Sequence, residues 1–173
     1  GTDALGANTT NNNTAVGYSA LKVNTSGTGN ASLGYSSLDA NTTGSNNTAV
    51  GADSLTANTT GAANVALGSS ALGVNTTAAH NTAIGHNSLS ANTTGAQNVA
   101  LGTHAGNLIT TGTYNVVIGY NSQLAAVGDS NEIVISNGNA VGKGSATGFI
   151  TPGAGPMYNG QNSTVWVATS DRR

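Results

Sequence analysis

The stretch NTAVGADSLTANTTGAA, residues 47–63, decides the fold, because close copies of it stand before and after it along the chain. Its first residue belongs to a set of asparagines that recur every 17 residues, each followed four residues later by a glycine. These asparagines are Asn13, Asn30, Asn47, Asn64, Asn81, Asn98 and Asn115. A strict short period means that one repeat cannot bury its own apolar face. Stability must then come from stacking repeats into an elongated solenoid.

The columns of the repeat predict how one unit is built, when its positions are numbered 1 to 17 from the asparagine. Position 4 is always aliphatic, position 9 is leucine in five consecutive units, and positions 12 to 14 are mostly Asn-Thr-Thr. Two short β-forming segments, separated by glycine corners at positions 5 and 15, leave no room for a helix. The sequence therefore predicts an all-β fold, a parallel β-roll or β-solenoid with 17-residue coils. The recurring asparagines should stack into ladders that hydrogen-bond from coil to coil.

Composition excludes several classes of protein. Only 6% of the residues are charged, and four cations in a chain of net charge −2 supply no basic face for nucleic acid. There is no apolar run long enough for membrane insertion, and the absence of cysteine excludes disulfides and thiolate metal sites. Disorder does not account for an aliphatic column that stays in register over seven units.

Self-association is expected because the core of a single coil is small. Positions 4 and 9 supply only two large aliphatic side chains per coil. Positions 8 and 11 carry small or mildly apolar residues, and we expect them to form a flat stripe that packs against identical chains. We therefore predict a homo-oligomer, with a parallel homotrimer favoured because it also hides exposed sheet edges.

The regular pattern covers residues 1–135, and a glycine-rich region follows at residues 136–173. Asn131 lies 16 residues after Asn115, which predicts a last strand in a shortened coil. The second region is expected to cap the solenoid, since it gathers the rare large residues Phe149, Met157, Tyr158 and Trp166. We also expect the chain to be a segment of a longer fibre.

The unit Asn13-Thr14-Ala15-Val16-Gly17, followed by a turn like Asn-Thr-Thr-Gly, resembles repeats of bacteriophage tail fibres and tail spikes. It is more distantly similar to the β-roll heads of trimeric autotransporter adhesins. The end of the chain, residues 165–173, resembles the entry to an endosialidase-type intramolecular chaperone domain, with Ser170 and Asp171 at the processing junction. The resemblance implies a homotrimeric component of the virion, located outside the cell, that binds a glycan or protein receptor on the host surface.

Residues with catalytic potential are few, and the sequence predicts neither an enzyme nor a cofactor or metal site. The three histidines and six carboxylates are scattered, and no unit contains a pair of acids suited to glycoside hydrolysis. Exposed aromatic side chains at position 6 are the candidate receptor contacts, because they can stack on sugars. These candidates are Tyr18, Tyr35, His86 and Tyr120.

An ice-binding solenoid is the alternative function. In this hypothesis, the asparagine and the second threonine of each Asn-Thr-Thr point the same way. They would then present a regular polar ladder, which includes Thr43, Thr60, Thr77 and Thr94. The regular units lack a repeated T-x-T motif, which argues against it.

Overall fold

The computed structural model describes residues 1–136, 138–151, 157–159 and 167–168. The described strands form one sheet, in which their order along the chain is also their order in space. They are β1 (Thr14–Val16), β2 (Ala31–Leu33), β3 (Thr48–Val50), β4 (Val65–Leu67), β5 (Thr82–Ile84), β6 (Val99–Leu101), β7 (Val116–Ile118), β8 (Ile133–Ser136), β9 (Gly148–Thr151), β10 (Met157–Asn159) and β11 (Val167–Ala168).

The register of the sheet confirms the β-solenoid. Strands β1 to β8 pair in parallel, and each residue faces the residue 17 positions later, as Thr14 faces Ala31 and Val116 faces Ile133. One circuit of the chain thus advances the structure by one strand. The fold is an all-β solenoid of about seven turns, in which each coil can bury its interior only against its neighbours.

The glycine at position 5 supplies the corner after each strand, as expected. All seven of these glycines have φ between +123° and +146°, a region that side chains disfavour. A Cβ on Gly51 would also lie 2.6 Å from the carbonyl carbon of Gly68 in the next coil. This column therefore needs glycine for its backbone angle and for the close approach of successive coils.

Glycine at position 15 was also expected to supply a backbone corner, and this prediction is wrong. Gly61 has no positive φ, and the equivalent residue of the next coil is Ala78, which is buried. A Cβ on Gly61 would lie 2.3 Å from Oδ1 of Asn58 and 2.4 Å from the Ala78 carbonyl oxygen of the next coil, so close approach of these groups favours glycine here.

Non-glycine residues make the remaining corners. Positions 7, 9 and 17 adopt left-handed backbone angles, shown in one coil by Ser36 (φ 48°), Leu38 (φ 51°) and Asn46 (φ 60°). These residues interrupt the extended backbone, so each regular coil holds a single strand of three residues. The second of the two predicted β-forming segments is not a strand in the regular coils. Asn-Thr-Thr is a bend there, although its backbone still bonds from coil to coil, as Thr42 N does to the Thr59 carbonyl at 2.9 Å.

The core lies inside the coil and is built from small residues around one leucine column. Position 9 is fully buried in Leu21, Leu38, Leu55, Leu72 and Leu89. Position 3 is the strand residue that points inward, and it is alanine in most coils, as in Ala49 and Ala66. A coil of 17 residues encloses so little space that larger side chains at position 3 would not fit in most coils.

Two predictions about the core are wrong. Position 4 points outward, since strand residues alternate between faces and position 3 takes the inside; Leu33 and Leu67 are 49% and 45% exposed. Position 8 is buried within the coil, as Ser54 and Ala71 show, and cannot form a stripe against another chain. Position 11 does lie at the surface, from half-buried Ala57 to exposed Leu108.

The last coil keeps the full repeat length, contrary to the expected shortening. Ile133 pairs with Val116, so Glu132 and not Asn131 occupies position 1, where it donates its backbone N–H to Asn115 Oδ1 at 2.9 Å. The Glu132 side chain is fully buried. Its Oε1 accepts hydrogen bonds from the backbone nitrogens of Lys143 and Gly144 and from the hydroxyl of Thr147.

The 17-residue register holds as far as β8, which contains the expected boundary at residue 135. Strand β9 still pairs in parallel with β8, and β10 and β11 then follow in antiparallel pairing. These antiparallel strands end the parallel stack. The predicted capping side chain of Trp166 and the predicted junction at Ser170 and Asp171 lie outside the described residues.

Candidate functional site

The asparagines at position 1 form a continuous ladder inside the solenoid. Asn47 shows the pattern: its backbone N–H and its Nδ2 both donate to Asn30 Oδ1, at 2.9 and 3.2 Å, and Nδ2 also donates to the Gly61 carbonyl at 2.9 Å. From Asn30 to Asn115 these side chains are buried, whereas Asn13 in the first coil is partly exposed. Buried amides with this many partners are structural groups that fix coil spacing and register.

A second ladder runs along position 12. Asn58 Nδ2 donates to Asn41 Oδ1 at 2.8 Å and to the Gly61 carbonyl at 3.0 Å, and Asn75 repeats both bonds. The ladder ends at Asn92, whose Oδ1 has no hydrogen-bond partner, because Ile109 occupies the next position 12. The asparagine repeat predicts the ladders, but the end of this one at Asn92 depends on the single substitution at Ile109 and was not predicted.

A continuous aliphatic face runs along the outside of the parallel sheet. We define the aliphatic face as the outward residues at position 4 and the apolar ones at position 2. Its members are Val16, Leu33, Val50, Leu67, Ile84, Leu101, Ile118, Ile135, Val65, Val99, Val116 and Ile133. Among them, Val16 is 55% exposed and Leu101 is 44% exposed. The signal that could have located this face is the small residue at position 3, which marks the side of the strand that the narrow coil encloses.

The candidate receptor contacts at position 6 lie just beyond the glycine corner. Tyr18, Tyr35, His86 and Tyr120 are all exposed. The rings of Tyr18 and Tyr35 stack, with centroids 5.5 Å apart and planes 11° from parallel. His86 meets His104 of the next coil edge to face, with ring centroids 5.3 Å apart. The candidates are therefore not one cluster: Tyr18 and Tyr35 form a pair, His86 pairs with His104, and Tyr120 lies in a later coil.

The ionisable side chains of the described residues are few and are spread over several coils. No group of three or more His, Asp or Glu residues among the described residues could hold a metal ion. Asp129 accepts hydrogen bonds from Ala126 N at 2.7 Å and from the Ser145 hydroxyl at 2.9 Å. Together with the bonds of Glu132, these contacts tie the last coil to the segment that follows it.

Comparison of the chain with protein-family models, with characterised proteins and with solved structures gives no match. No helix in the described part of the chain is long and apolar enough to cross a membrane. The aliphatic face departs from an ordinary solvated surface, because its exposed side chains are apolar along strands β1 to β8.

Proposed function

We propose that the protein is a non-catalytic structural and adhesive segment of a trimeric fibre. In this proposal it belongs to a bacteriophage tail fibre or spike and contributes to attachment at the host surface. Three parallel chains turn their aliphatic faces toward a common axis, and the remaining surface carries the receptor contacts. The fibre is a component of the virion and acts outside the cell.

The observation that carries this proposal is the exposed aliphatic face. Exposed apolar patches on soluble proteins are usually small, and a larger one marks an interaction site. This face extends over eight strands, about 34 Å at about 4.8 Å per strand. Because its residues repeat with the coil, identical chains in parallel register would place like side chains at the same height. Such an arrangement favours closed symmetric assembly.

The hydrogen-bonded and closely packed interior suits the proposed role as a rigid segment of a fibre. The position 1 ladder and the backbone bonds join successive coils, the position 12 ladder adds to them as far as Asn92, and the leucine column fills the centre as far as Leu89. Separating two coils would exchange these hydrogen bonds for bonds to water, with a net loss of about 0.5–1.5 kcal/mol for each bond, and would also expose the buried leucines. The rod therefore resists local opening and proteolysis.

The association is tested with a pair of charged substitutions on the aliphatic face. L67E and L101E together should convert trimers to monomers in sedimentation velocity, because each carboxylate would be buried without a partner at the interface. The matched control carries T60E and T94E on the exposed position 14 and should retain the trimer. Equal masses for the two variants would contradict an interface on this face.

The adhesive role needs its own experiment. The fluorescently labelled protein is expected to cosediment with intact cells of at least one strain in a broad bacterial panel. Failure to bind any strain would contradict the adhesive part of the proposal while leaving the assembly part to the sedimentation experiment.

Ice binding is the second candidate, favoured by the exposed hydroxyl column at position 14. Thr43, Thr60, Thr77, Thr94 and Thr111 lie at the surface at regular intervals. The asparagines assigned to the same face are instead buried, and the hydroxyls at position 13 are engaged, as Thr42 Oγ1 is with the Thr59 carbonyl at 3.0 Å. Thermal hysteresis that is abolished by T60K and T94K together would support this candidate, and its absence in the parent protein would exclude it.

A further inference from the structure

The position 6 column has a gap between the exposed rings of Tyr35 and His86, which we call the notch. Tyr35 is stacked on Tyr18 on one side, but the residues that follow it in the column are Ala52 and Ser69, and the next ring is His86. Three coils separate Tyr35 from His86, which is about 14 Å at about 4.8 Å per coil. The Tyr35 ring thus forms one wall of a shallow opening whose floor consists of small side chains.

Polar groups line the floor of this notch beside the rings. Asp53 donates its backbone N–H to the Tyr35 carbonyl at 2.9 Å, which fixes its position next to that wall. Its side chain is partly exposed and makes no hydrogen bond or ion pair with another described side chain. Ser70 follows Asp53 in the position 7 column, with its N–H bonded to the Ala52 carbonyl at 2.9 Å. The notch therefore combines an aromatic face, a carboxylate and a hydroxyl group.

We propose that this notch binds one neutral hexopyranose unit of a surface glycan. The inference rests on the proposed attachment function and names the class of its receptor. The polarised C–H groups on one face of a pyranose ring are attracted to the electron-rich face of a tyrosine. The Asp53 carboxylate accepts hydrogen bonds from two neighbouring sugar hydroxyls, and the small floor lets the ring approach. An apolar peptide would leave the carboxylate unpaired and desolvated.

The charge distribution selects a neutral sugar over an acidic one. The lysines among the described residues are Lys22, in the first coil, and Lys143, after the last regular coil. The notch lies between them and carries the negative charge of Asp53. A sialylated or uronate unit would place a second carboxylate near Asp53 with no lysine from these coils to offset the repulsion.

Saturation-transfer NMR and calorimetric titration test the notch, with methyl hexopyranosides and lactose as neutral probes and 3′-sialyllactose as the charged match of lactose. At least one neutral probe should bind, with its ring protons in contact with tyrosine, and sialyllactose should bind at least about tenfold more weakly than lactose if lactose is a ligand. No binding by any neutral probe would overturn the proposal, and so would equal binding of lactose and sialyllactose.

Four variants locate the binding without disturbing the coil. Y35A and D53N should each weaken binding about tenfold; alanine and asparagine already occupy the same columns at Ala52 and Asn87. A52Y extends the tyrosine stack into the notch and should abolish binding although it removes no contact group. Y120A changes the same column at the far end and should bind as the parent does. Parent-like binding by A52Y would overturn the assignment.

The outcomes separate this inference from the fibre proposal. If the protein is a trimer that attaches to cells but binds no neutral hexose, only the proposed sugar site in the notch is refuted. If the protein is a monomer that binds a neutral hexose, and A52Y abolishes that binding, the trimeric fibre is refuted and the notch is supported.

Discussion

At the scale of the residue, backbone angles constrain this protein more than side-chain size does. Each regular coil combines a position 5 glycine with φ near +130° and left-handed residues at positions 7, 9 and 17, as in Gly51, Asp53 and Leu55. A leucine at φ 50° is rare, because the left-handed region costs a residue with a Cβ about 1–2 kcal/mol. The burial of that leucine offsets the cost, since full burial of such a side chain contributes about 1.5–3 kcal/mol.

The position 5 corner should therefore be the most sensitive site in the coil. G51A should lower the free energy of unfolding by about 3 kcal/mol, because its φ is +128° and the new Cβ would lie 2.7 Å from the Gly68 carbonyl oxygen. Chemical denaturation measures the loss. G73A is the control: this glycine lies at position 10, where other coils carry Lys22 or Thr56, it has no positive φ, and its new Cβ would come no closer than 3.2 Å to the Ser70 carbonyl oxygen, so its replacement should cost less than about 1 kcal/mol. Similar losses in both variants would refute the corner argument.

A stabilising substitution follows from the same angles. Ala63, at position 17, has φ 55°, whereas Asn46 and Asn131 occupy this position in other coils. Asparagine tolerates left-handed angles better than alanine does, so A63N should stabilise the fold by about 0.5–1 kcal/mol. The midpoint of thermal unfolding reports the gain. A57N, at a half-buried position without a positive φ, should give no such increase, and an equal gain there would argue against a backbone cause.

At the scale of the element, the coil that begins at Asn98 differs from the regular coils at two core positions at once. The buried leucine of position 9 becomes Gly106, and the ladder asparagine of position 12 becomes Ile109, which is 1% exposed. A Cβ on Gly106 would lie 3.0 Å from Ile109 Cδ1 and 3.2 Å from Leu89 Cδ2. The isoleucine thus fills the space that leucine fills in other coils.

A double-mutant cycle tests this exchange. G106L alone should destabilise through overpacking by about 1–3 kcal/mol, and I109N alone through loss of a core side chain by about 2–4 kcal/mol. The double variant restores the regular coil and offers Asn92 Oδ1 a donor, so the coupling energy should favour it by about 2 kcal/mol. Unfolding in urea measures all four proteins. Strict additivity of the two losses would contradict a paired exchange.

Much of the coil could be predicted from the repeat, because residue spacing alone reports which positions are equivalent. The period, the parallel stacking and the corner at Gly51 follow from it. The side of the strand that faces inward could not be obtained in this way, since positions 2, 3 and 4 are all apolar in units such as Val65-Ala66-Leu67. Only the width of the coil decides that Ala66 is enclosed and Leu67 exposed.

At the scale of the whole molecule, an inner framework of paired amides and an outer aliphatic face perform separate tasks. The ladders hold the coils together without help from another chain, as the buried bonds of Asn47 and Asn58 show. The aliphatic face has no such partner within the described residues. A rod that is complete inside and apolar along one side is suited to lateral association with copies of itself.

The position of a receptor site was only partly predictable. The exposed rings at position 6 could be selected from the sequence, but the stack of Tyr18 on Tyr35 and the gap above Ala52 depend on the alignment of coils in space. The end of the ladder at Asn92 and the burial of Glu132 were missed, because each depends on a single residue that departs from the repeat.

The most direct test of the account is the absolute mass of the protein in solution, measured by light scattering during size-exclusion chromatography at several concentrations. The account predicts the mass of three chains, unchanged on dilution, because the aliphatic face extends over strands β1 to β8. A single-chain mass of 16.8 kDa at all concentrations would contradict it and leave that face without the partner proposed here.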